Sequence, residues 1–169
     1  MTDDQSQKSG NIDLEDYLTH LAEQARIIIE DEQMEHKPFA FVMMPGQRLE
    51  VYLFADFGPP ETKQALRALL ESRARAGAQF VVWLSEAWLS VLPRHTPPSL
   101  LTTFQPSTDP GRREMLILDA AAPDRRVFRT YEILRGDHGE RKLARTYIQV
   151  PALETPKLES RFTSNLPWK

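Results

Sequence analysis

The spacing of apolar residues predicts a helix that begins near Asn11–Asp13 and ends near Glu32–Glu35. Asp13 can cap its N-terminus, where the following acidic residues are also favourable. Apolar side chains then recur every third or fourth position, which places them on one face of a helix. The residues of this stripe are Leu14, Tyr17, Leu18, Leu21, Ala25 and Ile28.

After this helix the apolar residues no longer recur every third or fourth position, and their new spacing predicts a β-hairpin. Phe39–Met44 is apolar at nearly every position, as expected of a strand that is buried on both faces. Pro45-Gly46-Gln47-Arg48 has the composition of a turn. Leu49–Ala55 then alternates between two sets of side chains, which is typical of a strand.

A second helix and a central strand should follow the hairpin. Gly58-Pro59-Pro60 ends the preceding strand, and proline is tolerated in a first helical turn. Gly77 lies where a helix commonly ends in a left-handed residue. The strand expected from about Gln79 to Ser85 is apolar enough to lie at the centre of a sheet.

Residues 92–113 contain five of the thirteen prolines and predict a long irregular crossing. Three strands should follow it: Glu114–Ala120, Val127–Leu134 and Leu143–Val150. The connections between them are short and rich in turn residues, so consecutive strands are expected to pair antiparallel.

The order helix, hairpin, helix, strand, long loop and three-stranded meander predicts an α+β fold. We expect a mostly antiparallel sheet of about six strands with two helices packed on one face. Residues 1–10 are polar and are expected to be disordered, residues 11–150 should form a single domain, and residues 151–169 should be an extended C-terminal tail along the surface.

Composition excludes several classes of function. The chain has no cysteine, so thiolate catalysis, iron–sulfur clusters and cysteine-ligated zinc are excluded. The four histidines lack metal-ligand spacing, and neither a glycine-rich phosphate loop nor a Gly-x-Ser-x-Gly elbow is present. No cofactor and no metal are therefore expected. The polar start and short apolar runs predict a cytoplasmic protein that does not enter a membrane. Arginine outnumbers lysine 15 to 6, which suggests a bacterial source.

Charge is divided unevenly along the chain. Residues 1–36 carry ten acidic and two basic residues, a net charge of −8, whereas the remaining 133 residues have a net charge of +5. The first helix is therefore expected either to present a solvated outer face or to lie across the basic body of its own or a second copy. Together with apolar groups such as Trp168 in the tail, this favours a homodimer, the commonest soluble assembly.

The candidate site is formed by Glu86, Trp88, Arg112, Arg113 and Glu114. Glu86 follows a buried strand, and a partly buried carboxylate there needs a partner, for which Arg112 or Arg113 can serve. One interpretation is a ligand-binding or acid–base carboxylate beneath the proline-rich loop. The other is a structural ion pair that ties this loop to the sheet, with Trp88 covering it.

Two motifs frame this candidate site: Ser85-Glu86-Ala87-Trp88 and the Pro-x-x-Asp-Pro-x-Arg-x-Glu pattern over residues 106–114. In this arrangement the chain resembles a family of uncharacterised prokaryotic and phage proteins. The resemblance implies the motif and carries no function with it.

Three functions follow as hypotheses. The first is a non-enzymatic binding domain that acts as a homodimer. The second is a small enzyme with a carboxylate–arginine site made by Glu86 with Arg112 or Arg113. The third is a nucleic-acid accessory protein that uses the arginines of the last strands, but acidic residues among them dilute the positive charge, so nucleic acid is not an expected partner.

Overall fold

The computed structural model describes residues 12–90, 93, 95–103, 105, 108–149 and 162–169. Residues 1–10, most of the predicted tail and parts of the proline-rich crossing lie outside this description. The described elements are α1 (Leu14–Arg26, continued by one π-helical turn, Ile27–Asp31), β1 (Phe39–Met44), β2 (Arg48–Leu53), α2 (Pro60–Arg75), β3 (Phe80–Leu89), α3 (Pro98–Thr103), β4 (Arg113–Ala122), β5 (Arg125–Arg135), β6 (Arg141–Leu143) and β7 (Ile148–Gln149).

The strands form one sheet in the order β2-β1-β3-β4-β5-β6, with β7 also paired to β5. Every pairing is antiparallel. The predicted α+β class with a mainly antiparallel sheet is therefore confirmed. The last predicted strand, Leu143–Val150, is replaced by the two short strands β6 and β7, because a bend at residues 145 and 146 separates them. Short α3 also lies within the crossing that the prolines predicted to be irregular.

The two long helices pack on opposite faces of the sheet, so the expectation of a single covered face is wrong. Val82 and Leu84 of β3 belong to the core beneath α1, whereas Val81 and Trp83 belong to the core beneath α2. A central strand with apolar side chains on both faces needs a cover on both sides, and one helix supplies each cover.

Helix α1 lies across the basic body of its own chain. Asp13 caps the helix through the Glu15 amide and also pairs with Arg125 at 3.2 Å. Glu15 binds Arg129 of β5, which is almost completely buried. Near the other end of the helix, Arg26 donates to the carbonyl oxygen of Leu143 at 2.6 Å. Part of the acidic first segment is therefore paired with basic residues of the same copy.

The last described segment, residues 162–169, packs into the core on the α2 face. Leu166 is buried, and Phe162 and Trp168 pack against the cluster that includes Trp83. Arg67 of α2 donates to the carbonyl oxygens of Phe162, Ser164 and Asn165. For these residues the prediction of a surface tail with an exposed Trp168 is wrong, because α2 leaves apolar surface that the segment covers.

A buried carboxylate on β4 anchors this segment. Thr163 donates its hydroxyl hydrogen to Asp119 Oδ1 at 2.5 Å, and Arg126 lies 3.3 Å from the same oxygen. The other oxygen, Oδ2, is buried without a hydrogen-bond partner. Burial raises the pKa of Asp119 to about 6, an effect that the Arg126 charge and the Thr163 hydrogen bond offset only in part.

Changing Asp119 to Asn is expected to remove a pH dependence of stability. The folded protein keeps the Asp119 proton up to about pH 6, whereas the unfolded chain releases it near pH 4. The wild type should therefore lose stability as the pH rises through this window, by at most about 3 kcal/mol, and the neutral variant should not.

The measurement for Asp119 is urea unfolding of both proteins at several pH values. The stability of Asp119→Asn relative to the wild type should improve from about pH 4 to about pH 7. Asp124→Asn, at an exposed turn position, is the matched control. A wild-type advantage that grows with pH would contradict the assignment, because it would mean that the ionised carboxylate stabilises the fold.

Candidate functional site

The predicted site lies on the α1 face of the sheet, beyond the end of the helix. Strand β3 continues to Leu89, past the expected end at Ser85, so Glu86 lies within the strand. Trp88 pairs directly with Glu114 of β4. Because alternate residues of a strand share a face, Glu86, Trp88 and Glu114 project on the same side. The sheet therefore brings together three of the five predicted residues.

Arg141 of β6 occupies the centre of this group. Its Nη2 donates to Glu86 Oε2 in a short hydrogen bond and to Glu114 Oε1 at 2.9 Å. The side chains of Glu86 and Arg141 are each 7% exposed and that of Glu114 is 12% exposed. Arg135 completes the cluster, since its Nε and Nη2 each lie 3.0 Å from an oxygen of Glu114. The result is a buried guanidinium between two carboxylates.

The chain that leaves α1 passes over this cluster and is bound to it. The amide of His36 donates to Glu86 Oε1 at 2.6 Å, and Arg141 Nη1 donates to the carbonyl oxygen of Met34 at 2.7 Å. The side-chain amide of Gln33 exchanges two hydrogen bonds with the backbone of Arg141, at 2.7 and 3.0 Å. The cluster thus joins the segment after α1 to four strands: β3, β4, β5 and β6.

Burial governs the electrostatics of the cluster. It raises the pKa of Glu86, and the hydrogen bonds from the His36 amide and Arg141 offset this only in part. For Arg141, burial acts to lower the pKa, but its contacts with Glu86 and Glu114 outweigh burial and the pKa is raised. Arg141 therefore stays charged, and each oxygen of Glu86 and Glu114 already has a partner within the chain. This arrangement favours structure over proton transfer.

Arg112 and Arg113 do not pair with Glu86, contrary to the sequence-based expectation. The Arg112 guanidinium stacks over the Trp88 ring, 4.6 Å from its centroid. Arg113 lies 3.8 Å from Glu132 of β5. The physical reason is the register: Arg113 pairs with Leu89 at the outer end of β3, three rungs away from Glu86.

A cleft of about 510 Å³ opens beside the cluster, a volume in the range of small-molecule sites. Its wall combines carboxylates, guanidinium groups and the exposed indole of Trp88. None of its described lining residues belongs to the proline-rich crossing, so the described part of that crossing does not roof the cleft. The lining residues are Gln33, Glu35, Glu86, Ala87, Trp88, Glu114, Arg135 and Arg141.

A second feature, which the sequence reading did not single out, is an apolar strip on β1 and β2. The strip consists of Phe39, Phe41, Leu49, Val51 and Leu53, in which Phe39 pairs with Leu53 and Phe41 with Val51. All five side chains share the α1 face with Met43.

Helix α1 leaves much of this strip in contact with solvent. Tyr17 of the helix reaches Phe41, with ring centroids 6.2 Å apart, and Phe39 stacks on Phe41. On β2, however, Leu49 is 41% exposed, Val51 50% and Leu53 58%. Contiguous exposed apolar surface is unusual on a soluble monomer and commonly marks an interaction site.

Within the described residues, no group of three or more histidine, aspartate or glutamate side chains is arranged to hold a metal ion. None of the described helices is long and apolar enough to cross a membrane.

Comparison of the chain with protein-family models, with curated proteins and with solved structures gives no match. The resemblance to a family of uncharacterised prokaryotic and phage proteins stays a prediction. The function must therefore be inferred from the geometry of this chain alone.

Proposed function

We propose that this protein is a non-enzymatic binding domain that works as a homodimer. The observation that carries the proposal is the apolar strip, whose three β2 side chains remain about half exposed on a face that α1 only partly covers. Burying such surface against a second copy is favourable by about 25 cal/mol for each Å² of apolar area removed from water. Twofold dimers are the commonest way in which soluble chains do this.

The carboxylate–arginine cluster supports a binding domain over an enzyme. A general acid or base needs a carboxylate oxygen that can reach substrate. Here Glu86 accepts from the His36 amide and Arg141, and Glu114 accepts from Arg135 and Arg141. The cluster holds β3, β4 and β6 to the segment after α1, which is a structural role.

A small enzyme or small-molecule site in the cleft is the alternative. It is favoured by the cleft volume, by the exposed Trp88 in its wall and by the raised pKa of Glu86. A thermal-shift screen of metabolites against the wild type and Glu86→Gln tests it. A compound that stabilises the wild type and not the variant would support a small-molecule site in this cleft.

Nucleic-acid binding has less support because the arginines of the last strands have acidic neighbours. Arg125 pairs with Asp13, Arg129 with Glu15, Arg126 with Asp119 and Arg135 with Glu114. We propose a cytoplasmic location in a bacterium, on the basis of the short apolar runs of the sequence and its preference for arginine over lysine.

Changing Val51 to Lys is expected to convert the dimer into a monomer. A charge at the centre of the apolar strip would meet either the apolar surface of the second copy or the same charge on it, and both contacts are unfavourable. Sedimentation velocity over a range of protein concentrations should give up to twice the 19.4 kDa chain mass for the wild type and the chain mass for the variant.

Leu134→Lys is the matched control, because Leu134 is also an exposed aliphatic residue in a strand, on β5. This variant should associate as the wild type does. A wild type that sediments as a monomer up to several hundred micromolar would overturn the proposed function.

A further inference from the structure

The two edges of the sheet differ in how open they are to a further strand. As far as the chain is described, the edge at β6 and β7 consists of strands of three and two residues. The edge at β2 is a regular strand of six residues, with no further strand beside it among the described residues. Natural proteins protect sheet edges with short strands, prolines, bulges or outward charges. Short strands protect the edge at β6 and β7, whereas β2 has no proline and has only aliphatic side chains on its α1 face.

The charged residues of β2 are on its other face and are already engaged. Glu50 lies 2.8 Å from Arg73 of α2, and it accepts a hydrogen bond from the Tyr52 hydroxyl at 2.6 Å. Arg48 donates to the same carboxylate at 3.1 Å. Glu50 is therefore held within its own chain, and Arg48 lies at the end of the strand with its side chain 66% exposed.

Along β2, the backbone amides and carbonyl oxygens of alternate residues point towards β1 and away from it. The Phe54 amide donates to the Pro38 carbonyl oxygen at 3.0 Å, in the same register as the β1–β2 pairing. In an antiparallel ladder the hydrogen-bonded positions alternate. The even-numbered residues of β2 therefore bond to β1, and Leu49, Val51 and Leu53 direct their amides and carbonyl oxygens to the open edge.

The same three residues that face the open edge with their backbone carry the exposed aliphatic side chains. An antiparallel copy of β2 centred on Val51 places Leu49 opposite Leu53 of the second copy and Val51 opposite itself. On the other face, Glu50 then lies opposite Tyr52. Each pair of opposite side chains is therefore either two aliphatic groups or a carboxylate and a hydroxyl, so the strand is complementary to a second copy of itself.

Neighbouring registers are less favourable. A register centred on Glu50 places two carboxylates directly opposite each other, which is destabilising. A register centred on Tyr52 overlaps only three residues of each strand and loses Leu49 from the pairing. The Val51 register keeps five rungs and forms about six backbone hydrogen bonds from the outward groups.

We infer that two copies of this chain pair along the open edge of β2, antiparallel and about a twofold axis at Val51, to form one continuous sheet. This inference rests on the proposed homodimer and names the surface that forms it. An interface of two short strands falls at the small end of specific interfaces, below roughly 1,200 Å², so the association is expected to depend on concentration in the micromolar range.

Single-cysteine variants test the register, because the chain has no cysteine of its own. Directly opposed residues of a hydrogen-bonded pair have Cα atoms about 5.5 Å apart, within the range that a disulfide spans. Under oxidation with diamide, Val51→Cys should form a covalent dimer. Leu49→Cys alone should not, since its copies lie about 13 Å apart, but it should cross-link when mixed with Leu53→Cys. Cross-linking of Leu49→Cys with Val51→Cys and not of Val51→Cys alone would overturn the Val51 axis.

Amide hydrogen exchange measured by NMR tests edge pairing itself without a mutation. On raising the concentration through the association range, the amides of Leu49, Val51 and Leu53 should become protected. The amides of Glu50, Tyr52 and Phe54 serve as controls in the same strand, because they already bond to β1.

The two proposals fail in different ways. A protein that sediments as a dimer while the amides of Leu49, Val51 and Leu53 stay unprotected, with no Val51→Cys cross-link, would overturn the edge pairing and leave the homodimer standing. Such a dimer would pack through the face of the strip instead. A protein that stays monomeric throughout would overturn both.

Discussion

Replacing Arg141 with methionine is expected to lower the free energy of unfolding by about 3–5 kcal/mol, a large share of the roughly 5–15 kcal/mol that stabilises a domain. The change keeps the length of the side chain and removes the charge. Glu86 and Glu114, both nearly buried, would be left without the guanidinium that lies between them. Urea unfolding near pH 7, followed by fluorescence and circular dichroism, measures the loss.

A control variant shows whether the effect of Arg141→Met comes from the burial of this guanidinium or only from the loss of one positive charge. Arg135→Met removes a guanidinium from the same cluster, but this side chain is half exposed, so its loss should stay below about 1 kcal/mol. The defect of Arg141→Met should shrink as the pH falls, because burial raises the pKa of Glu86 and its protonated carboxyl group no longer needs a cation. If Arg141→Met unfolds at the same urea concentration as the wild type, the cluster is not structural and the alternative function in the cleft gains weight.

Replacing Leu166 with alanine is expected to destabilise the protein by about 2–4 kcal/mol, as for other buried leucines. Leu166 is 6% exposed and packs with Trp83 and the α2 residues Leu66 and Leu70. Removing the Leu166 side chain leaves a cavity beneath residues 162–169. Arg67 binds the carbonyl oxygens of this segment. Equilibrium unfolding measures the effect.

Leu134→Ala is the matched control for Leu166, since it is the same change at a strand position that is about half exposed. Its effect should be within about 0.5 kcal/mol of zero. Equal effects of the two substitutions would mean that residues 162–169 are not part of the core in solution.

The sequence predicted the elements well where one periodicity dominates. The stripe from Leu14 to Ile28 predicted α1, and its residues Leu18 and Ala25 are fully buried. The alternation in Leu49–Ala55 predicted β2. Boundaries were less certain: β3 and β5 are longer than expected, because pairing with neighbours extends a strand beyond its apolar residues.

The arrangement of the elements was harder to predict than their existence. Apolar residues on both faces of the strand at 80–84 require two covered faces, but the order of the elements does not show which face each helix covers. The partner of Glu86 could not be found locally, because Arg141 is 55 residues away and meets it only through the β4–β5–β6 meander. Arg112 and Arg113 are nearer to Glu86 in sequence, but proximity in sequence does not decide which side chains meet across a sheet.

The short strands β6 and β7 limit how far an assembly of this chain can grow. A twofold contact uses the same surface of both copies, so pairing of β2 with β2 leaves no β2 edge free for a third copy. Within the described residues, the enlarged sheet then ends on both sides in strands of three and two residues, which are poor templates for another strand. Assembly through β2 is therefore closed at two copies, whereas two long open edges would have allowed a filament.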